Sequence, residues 1–277
     1  DVVLIGESDT DSGDWLERFY RSVVDNDPVY KRMRCIEAEV TKLAINTYVT
    51  TKISYANMVA ELCEKLPNAN SDVVLSAVGS DSRIGNKYLR GGTAYGGPCF
   101  PRDNRAFTAL GERLDSCTAL ASATDYLNVY QAERVANWTC KIALPGRDVI
   151  GILGLSYKFG TPVTANSQGI ALARKLSASG FDVKLHDELA KYDPKEDSLS
   201  DVENVSCIEQ FLHQTDVIVL MTPSKNYIEA IKKSSNLNSS KTVIDPWRSF
   251  DDTTCLGTEN YVPLGVGFVP NLELEYA

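Results

Sequence analysis

The sequence is poor in the residues on which much enzyme chemistry rests. Only two histidines, His186 and His213, occur in 277 residues, which argues against a site built on several imidazoles. Cys, Lys, Asp and Asn remain as the candidate reactive groups. Cysteine is present but unpatterned: seven residues (35, 63, 99, 117, 140, 207 and 255) form an odd set without a C-x-x-C pair. That argues against a secreted disulfide framework and against a thiolate zinc site, and no metal is expected. No apolar run approaches the ~18–20 residues of a membrane span. There is no signal-peptide pattern either, so the expected compartment is the cytoplasm. Positive charge is in deficit, 28 Lys and Arg against 37 Asp and Glu, a net −9. Such a chain has no general electrostatic reason to seek nucleic acid or an anionic membrane. An anionic ligand must be met by a few placed cations.

What is present is ordinary globular material, 43% hydrophobic and 23% charged. At ~150 residues per domain the length favours two domains. The chain opens with Asp1 directly on a strand-like run, DVVLIGE, which reads as the end of a preceding domain in something longer. SDTDSGD then suits a turn and a helix cap. Trp15, Leu16, Phe19, Tyr20, Val23 and Val24 recur at helical spacing up to Asp27-Pro28. A longer pattern from Cys35 to Leu66 carries Ile36, Val40, Leu43, Tyr48, Ile53, Met58 and Leu62. Its 32 residues span ~48 Å at 1.5 Å per residue, the length of a helix that crosses a domain or forms a dimer seam. On it Lys42 and Asn46, four apart, share one face. A last helical pattern, 116–143, offers Tyr126, Val129, Tyr130, Val135 and Trp138 as its core face. Pro145-Gly146 marks the clearest boundary in the chain.

Between these helices lies DSRIGNKYLRGGTAYGGPCFPRDNRAFTALGERL. Five of the 18 glycines fall between Gly85 and Gly97, so the loop can bring bare backbone close to a ligand. Pro101 suits the first turn of a helix, which places Cys99 just outside that helix's N-terminus. There the unpaired N–H groups and the dipole favour an anion. Asp103, one turn on, can return to the same face.

The second half alternates strands and helices. DVIGILGL (148–155) reads as a strand buried on both faces. VKLHD (183–187), DVIVLMT (216–222) and KTVID (241–245) follow it, with a helix opening near Ser167 and ending at Gly180. The pattern implies a parallel α/β sheet, whose ligands bind beyond the carboxyl ends of the strands. At those ends stand Gly154 to Lys158, Thr222-Pro223-Ser224 and Asp245-Pro246-Trp247-Arg248, and Lys158 with Arg248 suggest an anion site. No G-x-G-x-x-G follows the first strand, so no NAD cradle is expected in this half.

These pieces, in this order, resemble the UDP-glucose/GDP-mannose dehydrogenase family. DVVLIGE looks like the last strand of its NAD domain, and EAEVTKLAINTYVTTKISYANMVAELCEKL like its central dimer-forming helix. SRIGNKYLRGGTAYGGPCFPRDNRAF is similar to its nucleophile loop. VIGILGLSYKFGT and TVIDPWRSF resemble parts of its nucleotide-sugar domain. The resemblance implies an α/β protein in three parts: residues 1–12 as the remnant of an NAD-binding domain, 13–144 as a helical dimerisation domain, and 145–277 as a Rossmann-like nucleotide-sugar domain.

It further implies a two-step, NAD-dependent oxidation of a sugar C6 alcohol to a carboxylate. UDP-glucose, giving UDP-glucuronate for polysaccharide, is the first choice, with UDP-N-acetylhexosamines and GDP-mannose open. Cys99 matches the nucleophile, Lys42 and Asn46 the groups that stabilise an oxyanion and hold water, and Asp103 an assisting acid. Arg83 matches an arginine lent across a homodimer. Tyr88, Arg90 and the Tyr95-Gly96-Gly97 backbone match positions around the sugar, while Lys158 and Arg248 match phosphate and sugar contacts. NAD would be held mainly outside these residues, so the piece alone is expected to be inactive. Two departures stand out: Arg102 replaces a common Lys, and Thr164-Ala165-Asn166-Ser167 replaces a charged run. The alternatives are a non-catalytic dimeric module that binds sugar nucleotides, and a single-oxidation dehydrogenase, against which Cys99 speaks.

Overall fold

The computed structural model describes residues 1–193, 202–235, 241–250 and 261–267; Cys255 lies outside them. The chain begins with two parallel strands, β1 (Val2–Glu7) and β2 (Val29–Arg34), joined through helix α1 (Thr10–Val23). Asp9 caps α1 by accepting the Ser12 N–H at 2.8 Å. A two-stranded sheet is marginal by itself, and Arg32 ties this one down. Its guanidinium pairs with Glu7 and Asp14 and donates to the Thr10 carbonyl.

β2 runs straight into α2 (Cys35–Glu64), 30 residues long. Its neighbours are α3 (Ser71–Gly79), α4 (Phe100–Arg113) and α5 (Ala119–Ile142). The buried face of α2 consists of small residues, among them Thr50, Ser54, Ala56, Asn57 and Ala60. They admit α4, α5 and the glycine loop at close range. The large apolar residues that set the helical period lie elsewhere: Ile36, Tyr48, Met58 and Leu62 are exposed. The same correction applies to α5. Val135 is buried, whereas Tyr126 (70% exposed) and Val129 face outward, as do Trp15 and Phe19 on α1. Periodicity locates an apolar face but not what covers it.

The second half is a six-stranded, all-parallel sheet in the order β5-β4-β3-β6-β7-β8. Its strands are β3 (Val149–Leu153), β4 (Asp182–His186), β5 (Val202–Asn204), β6 (Val217–Leu220), β7 (Thr242–Asp245) and β8 (Tyr261–Pro263). Helices α6 (Gln168–Ala178), α7 (Ile208–His213) and α8 (Lys225–Ser235) cover the two faces. In chain order this is the doubly wound 3-2-1-4-5-6 arrangement, whose switch point falls between β3 and β6. Ile150, Ile152 and Leu153 on β3 are fully buried, and each such side chain contributes about 1.5–3 kcal/mol. Ser167 caps α6 as its sequence position suggests, accepting the Ile170 N–H at 3.2 Å.

The two halves are laced together. Residues 264–267 lie along the turn after α2, with Asn68 and Ser71 N–H groups donating to Gly267 and Gly265 carbonyls at 2.9 Å. Beneath them a buried Arg134–Glu64 pair receives the Gly265 N–H. The lacing sets the glycine loop against the carboxyl ends of β3, β6 and β7.

Candidate active site

The glycine loop is built by close approach. A Cβ on Gly92 would meet the Trp247 ring at 2.4 Å, and one on Gly96 would meet the Asn166 carbonyl oxygen at 2.2 Å. Gly97 combines φ +85 with a Tyr157 ring 2.5 Å from where its Cβ would stand. The glycines that the sequence offers to a ligand are thus largely spent on packing against the second half. Polar side chains fix the loop from beneath. Asn57 accepts the Gly92 N–H at 2.7 Å and Gln131 donates to the Gly92 carbonyl at 2.5 Å. Asn128 holds Tyr95 at both its N–H (2.7 Å) and its carbonyl (3.0 Å).

Between the loop and the sheet lies a cleft of about 490 Å³, at the switch point. Of the residues singled out from sequence, Tyr88, Arg90, Tyr95, Gly96, Cys99 and Lys158 line it. Met221, Thr222, Pro223, Tyr157 and Trp247 complete the sheet-side wall. Cys99 stands exposed as the N-cap of α4, with Pro101 in the first turn. Tyr95 contributes its ring edge-on to Phe100, because its hydroxyl is committed. It donates to Asp125 at 2.9 Å and accepts from Asn104 at 2.8 Å. Burial first, and then the Asp125 carboxylate, push that phenol far up. Lys158 is exposed above the Tyr157 ring. Among the described residues it has no carboxylate partner.

One helical turn beyond Cys99, Asp103 joins α4 to α2. It is 2% exposed. Its Oδ2 accepts from Lys42 and, at 2.6 Å, from Asn46, while Oδ1 accepts from Arg102 at 3.1 Å. Burial alone would raise its pKa, but the three donors outweigh it and hold the carboxyl below its ordinary value. The structure therefore brings Lys42, Asn46 and Asp103 together as one bonded group, joined to Cys99 through the Asp103 N–H on the Cys99 carbonyl (2.8 Å). These three do not line the cleft.

Two predicted cations stand apart. Arg83 is exposed and pairs with its neighbour Asp81. Arg248, read from sequence as a phosphate or sugar contact, does not line the cleft. All five of its donors are taken by Asp72, Gly91, Pro246 and Leu264. Trp247, Asn57 and Gln131 are the site residues that the sequence did not announce. Only Trp247 carried a signal, its place at a strand end.

A dinucleotide pyrophosphate needs a glycine turn that feeds a helix N-terminus after the first strand. Here β3 leads into a long loop whose Leu155 and Ser156 N–H groups, at 2.6 and 3.0 Å, are taken by Asp187. Asp187 also accepts from Leu189 and Ala190. Despite its burial, these N–H donors keep it below the ordinary carboxylate range. After β1 the turn is Glu7-Ser8-Asp9, acidic and without glycine. Among the described residues neither strand offers an NAD cradle.

A doubly wound parallel domain laced to a helical domain, with a thiol at a helix start in the cleft between them, defines the class of protein. Two models of one family match: its central domain over residues 36–130 and its UDP binding domain over 151–252. The chain belongs to the UDP-glucose/GDP-mannose dehydrogenase family. A UDP-glucose 6-dehydrogenase of Pseudomonas aeruginosa is 30% identical over 238 residues, 82% of this chain and 51% of that protein. One from Bacillus subtilis is 29% identical over 223 residues, 80% of this chain and 50% of that protein. The chain thus spans about half the length of the curated relatives it matches. The solved UDP-glucose dehydrogenase of Pyrobaculum islandicum superimposes with TM-score 0.81 at 29% identity, covering 96% of this chain and 59% of that one.

Proposed function

We propose that the chain forms the thiol-bearing, substrate-binding part of a nucleotide-sugar 6-dehydrogenase that converts UDP-glucose to UDP-glucuronate. One observation carries the reading: Cys99, at a helix start, lines the same cleft as the cations Arg90 and Lys158. A diphosphate held by those cations leaves a hexose to extend toward the sulfur. The names of the relatives support UDP-glucose as the substrate.

Oxidation of a C6 alcohol to an acid removes two hydrides, and NAD is the acceptor that this reading requires. The described residues offer it no cradle, so no step is assigned through it. The chain's own chemistry is at sulfur. The Cys99 thiolate adds to the C6 aldehyde; a C–S bond forms, the carbonyl pair moves to oxygen, and that oxygen takes a proton. Once that adduct has been oxidised to a thioester, water adds to the carbon, the C–S bond breaks, and the thiolate departs to leave the carboxylate. Lys42 and Asn46 each keep an N–H free after bonding Asp103, and the family resemblance assigns those donors to a developing oxyanion, although the group stands behind the residues that line the cleft. Asp103, held ionised below its ordinary pKa by three donors, positions Lys42 and Asn46 rather than taking the proton released by water, which passes to solvent.

The division into residues 1–12, 13–144 and 145–277 belongs to the same reading. The matched segments fall on either side of Pro145-Gly146, but the cut between residues 12 and 13 falls within α1, because β1, α1 and β2 form one unit. A homodimer belongs to that reading too. Its seam is the outward apolar face of α2, and the exposed Arg83 would exchange its pair with Asp81 for a second protomer's cleft. Alkylation by iodoacetamide tests the central claim, read peptide by peptide. Saturating UDP-glucose should slow modification of Cys99 at least fivefold, with the exposed Cys35 and Cys207 as internal controls. Equal rates at Cys99 with and without UDP-glucose would overturn it.

A further inference from the structure

Arg248 is an arginine in an unusual place. Its φ is +52, a left-handed conformation costly for any residue with a Cβ, and its side chain is 7% exposed. The guanidinium is saturated. Nε and Nη2 form a two-pronged pair with Asp72 at 3.0 and 2.8 Å, and Nη2 also donates to the Gly91 carbonyl at 2.7 Å. Nη1 donates to Pro246 at 2.8 Å and to Leu264 at 2.6 Å. No donor is left for a ligand.

The four partners belong to four separate segments. Asp72 is in the first turn of α3, Gly91 in the glycine loop, Pro246 after β7 and Leu264 after β8. Two neighbours of the clasp, Trp247 and Arg90, are walls of the cleft. Trp247, the preceding residue, is locked through its indole N–H to the Met221 carbonyl at 2.9 Å and lies against Gly92. Arg90, beside Gly91, donates to the Trp247 carbonyl and lies 3.6 Å from Asp72. We propose that Arg248 is a positioning residue: through Asp72 and Gly91 it fixes the separation of the wall bearing Arg90 and Cys99 from the wall bearing Lys158 and Trp247, and it does not touch the substrate.

Two readouts in the full chain test this, and the ligand readout rests on the nucleotide-sugar reading above. The variants are Arg248→Lys, Asp72→Asn and the pair together. A lysine keeps the charge but cannot form the planar two-pronged pair. Asp72→Asn leaves the arginine intact and releases it. Calorimetry with UDP-glucose should show at least tenfold weaker binding for either single variant and no further loss in the double variant. Amide hydrogen exchange should quicken at residues 91–95 and 264–267 while β3 and β6 stay protected. A direct ligand behaves otherwise: Arg248→Lys would weaken binding as well, but Asp72→Asn, by freeing a cation, would leave affinity unchanged or tighten it. That result, or unchanged exchange in residues 91–95, overturns the clasp. Failure of the unaltered chain to bind UDP-glucose would overturn the substrate reading alone, because the exchange experiment judges the clasp without any ligand.

Discussion

Replacing Asp103 by asparagine removes one charge from a buried junction and changes little in shape. The magnitude follows from its three donors. The new amide oxygen can still accept from Lys42 and Asn46, but neither bond is then to a charged acceptor. On the other side the amide N–H₂ would oppose the Arg102 Nε–H, and Arg102, 62% exposed, turns into water. A hydrogen bond to a charged group is worth ~1.5–3 kcal/mol against ~0.5–1.5 for a neutral one. Lys42 is 46% exposed, so its share must be discounted for solvent. About 1 kcal/mol from each weakened bond, and somewhat less for Arg102, gives a loss of about 2–3 kcal/mol.

The loss should also depend on pH. Asp103 titrates below its ordinary 3.8 in the folded chain, so its ionised form stabilises the fold fully above that value. The contribution fades as pH falls through the lower, folded-state pKa. Asparagine has nothing to titrate. Urea denaturation should therefore give a constant gap between the two proteins from pH 5 to 8, narrowing as pH drops below 3.8 toward 3. A gap under about 1 kcal/mol at pH 7, or one no narrower at pH 3 than at pH 7, would refute the reasoning.

Cys99→Ser, assayed as NADH formation in a complete enzyme supplied with UDP-glucose and NAD, should abolish acid production; a rate within tenfold of the unaltered protein would refute the thioester route. Gly97→Ala should cost about 2–4 kcal/mol, since it adds overpacking to a left-handed backbone, whereas Gly85→Ala, with the same sign of φ but open space around it, should cost about 1 kcal/mol; equal losses in denaturation would show that the Tyr157 contact is yielding. Lys158→Ala should weaken UDP-glucose about tenfold by calorimetry, and an unchanged affinity would remove it from the phosphate site. Light scattering at micromolar concentration should report a dimer, and a monomer would refute the α2 seam.

How much of this was legible depended on burial. β3 and β6 are enclosed on both faces and read as unbroken apolar runs. β2 is not: VYKRMR sends alternate residues to solvent, and Lys31, Arg32 and Arg34 hid the strand. β5 and β8, three residues each, carry too little pattern to see. The spacing of Cys99 and Asp103, and of Lys42 and Asn46, is set by one turn of helix and so was legible, whereas their roles came only with the family resemblance. Asn57 and Gln131, which hold the glycine loop from two different helices, are set by tertiary contact alone. Arg248 shows the opposite hazard. A cation at a strand end looks like a ligand group until the partners of its five donors are counted.

The same counting bears on what the second sheet can hold. Its strand order and switch point are those of dinucleotide-binding domains, yet fold alone does not choose the ligand. The choice lies in where the first N–H groups after β3 point. Those of Leu155 and Ser156 turn onto Asp187, a buried carboxylate of the chain itself, and so cannot cradle a pyrophosphate. The loop then runs outward, places Tyr157 under Gly97 and exposes Lys158 at the cleft. Freeing Leu155 and Ser156 would not restore a cradle, because the loop between β3 and α6 is already spent on holding the glycine loop: the Ala165 carbonyl accepts the Gly97 N–H at 2.9 Å, and Asn166 donates to the Gly97 carbonyl at 3.1 Å. A segment that positions the thiol loop cannot also wrap a dinucleotide. On this geometry the loop after β3 serves the glycine loop rather than a dinucleotide.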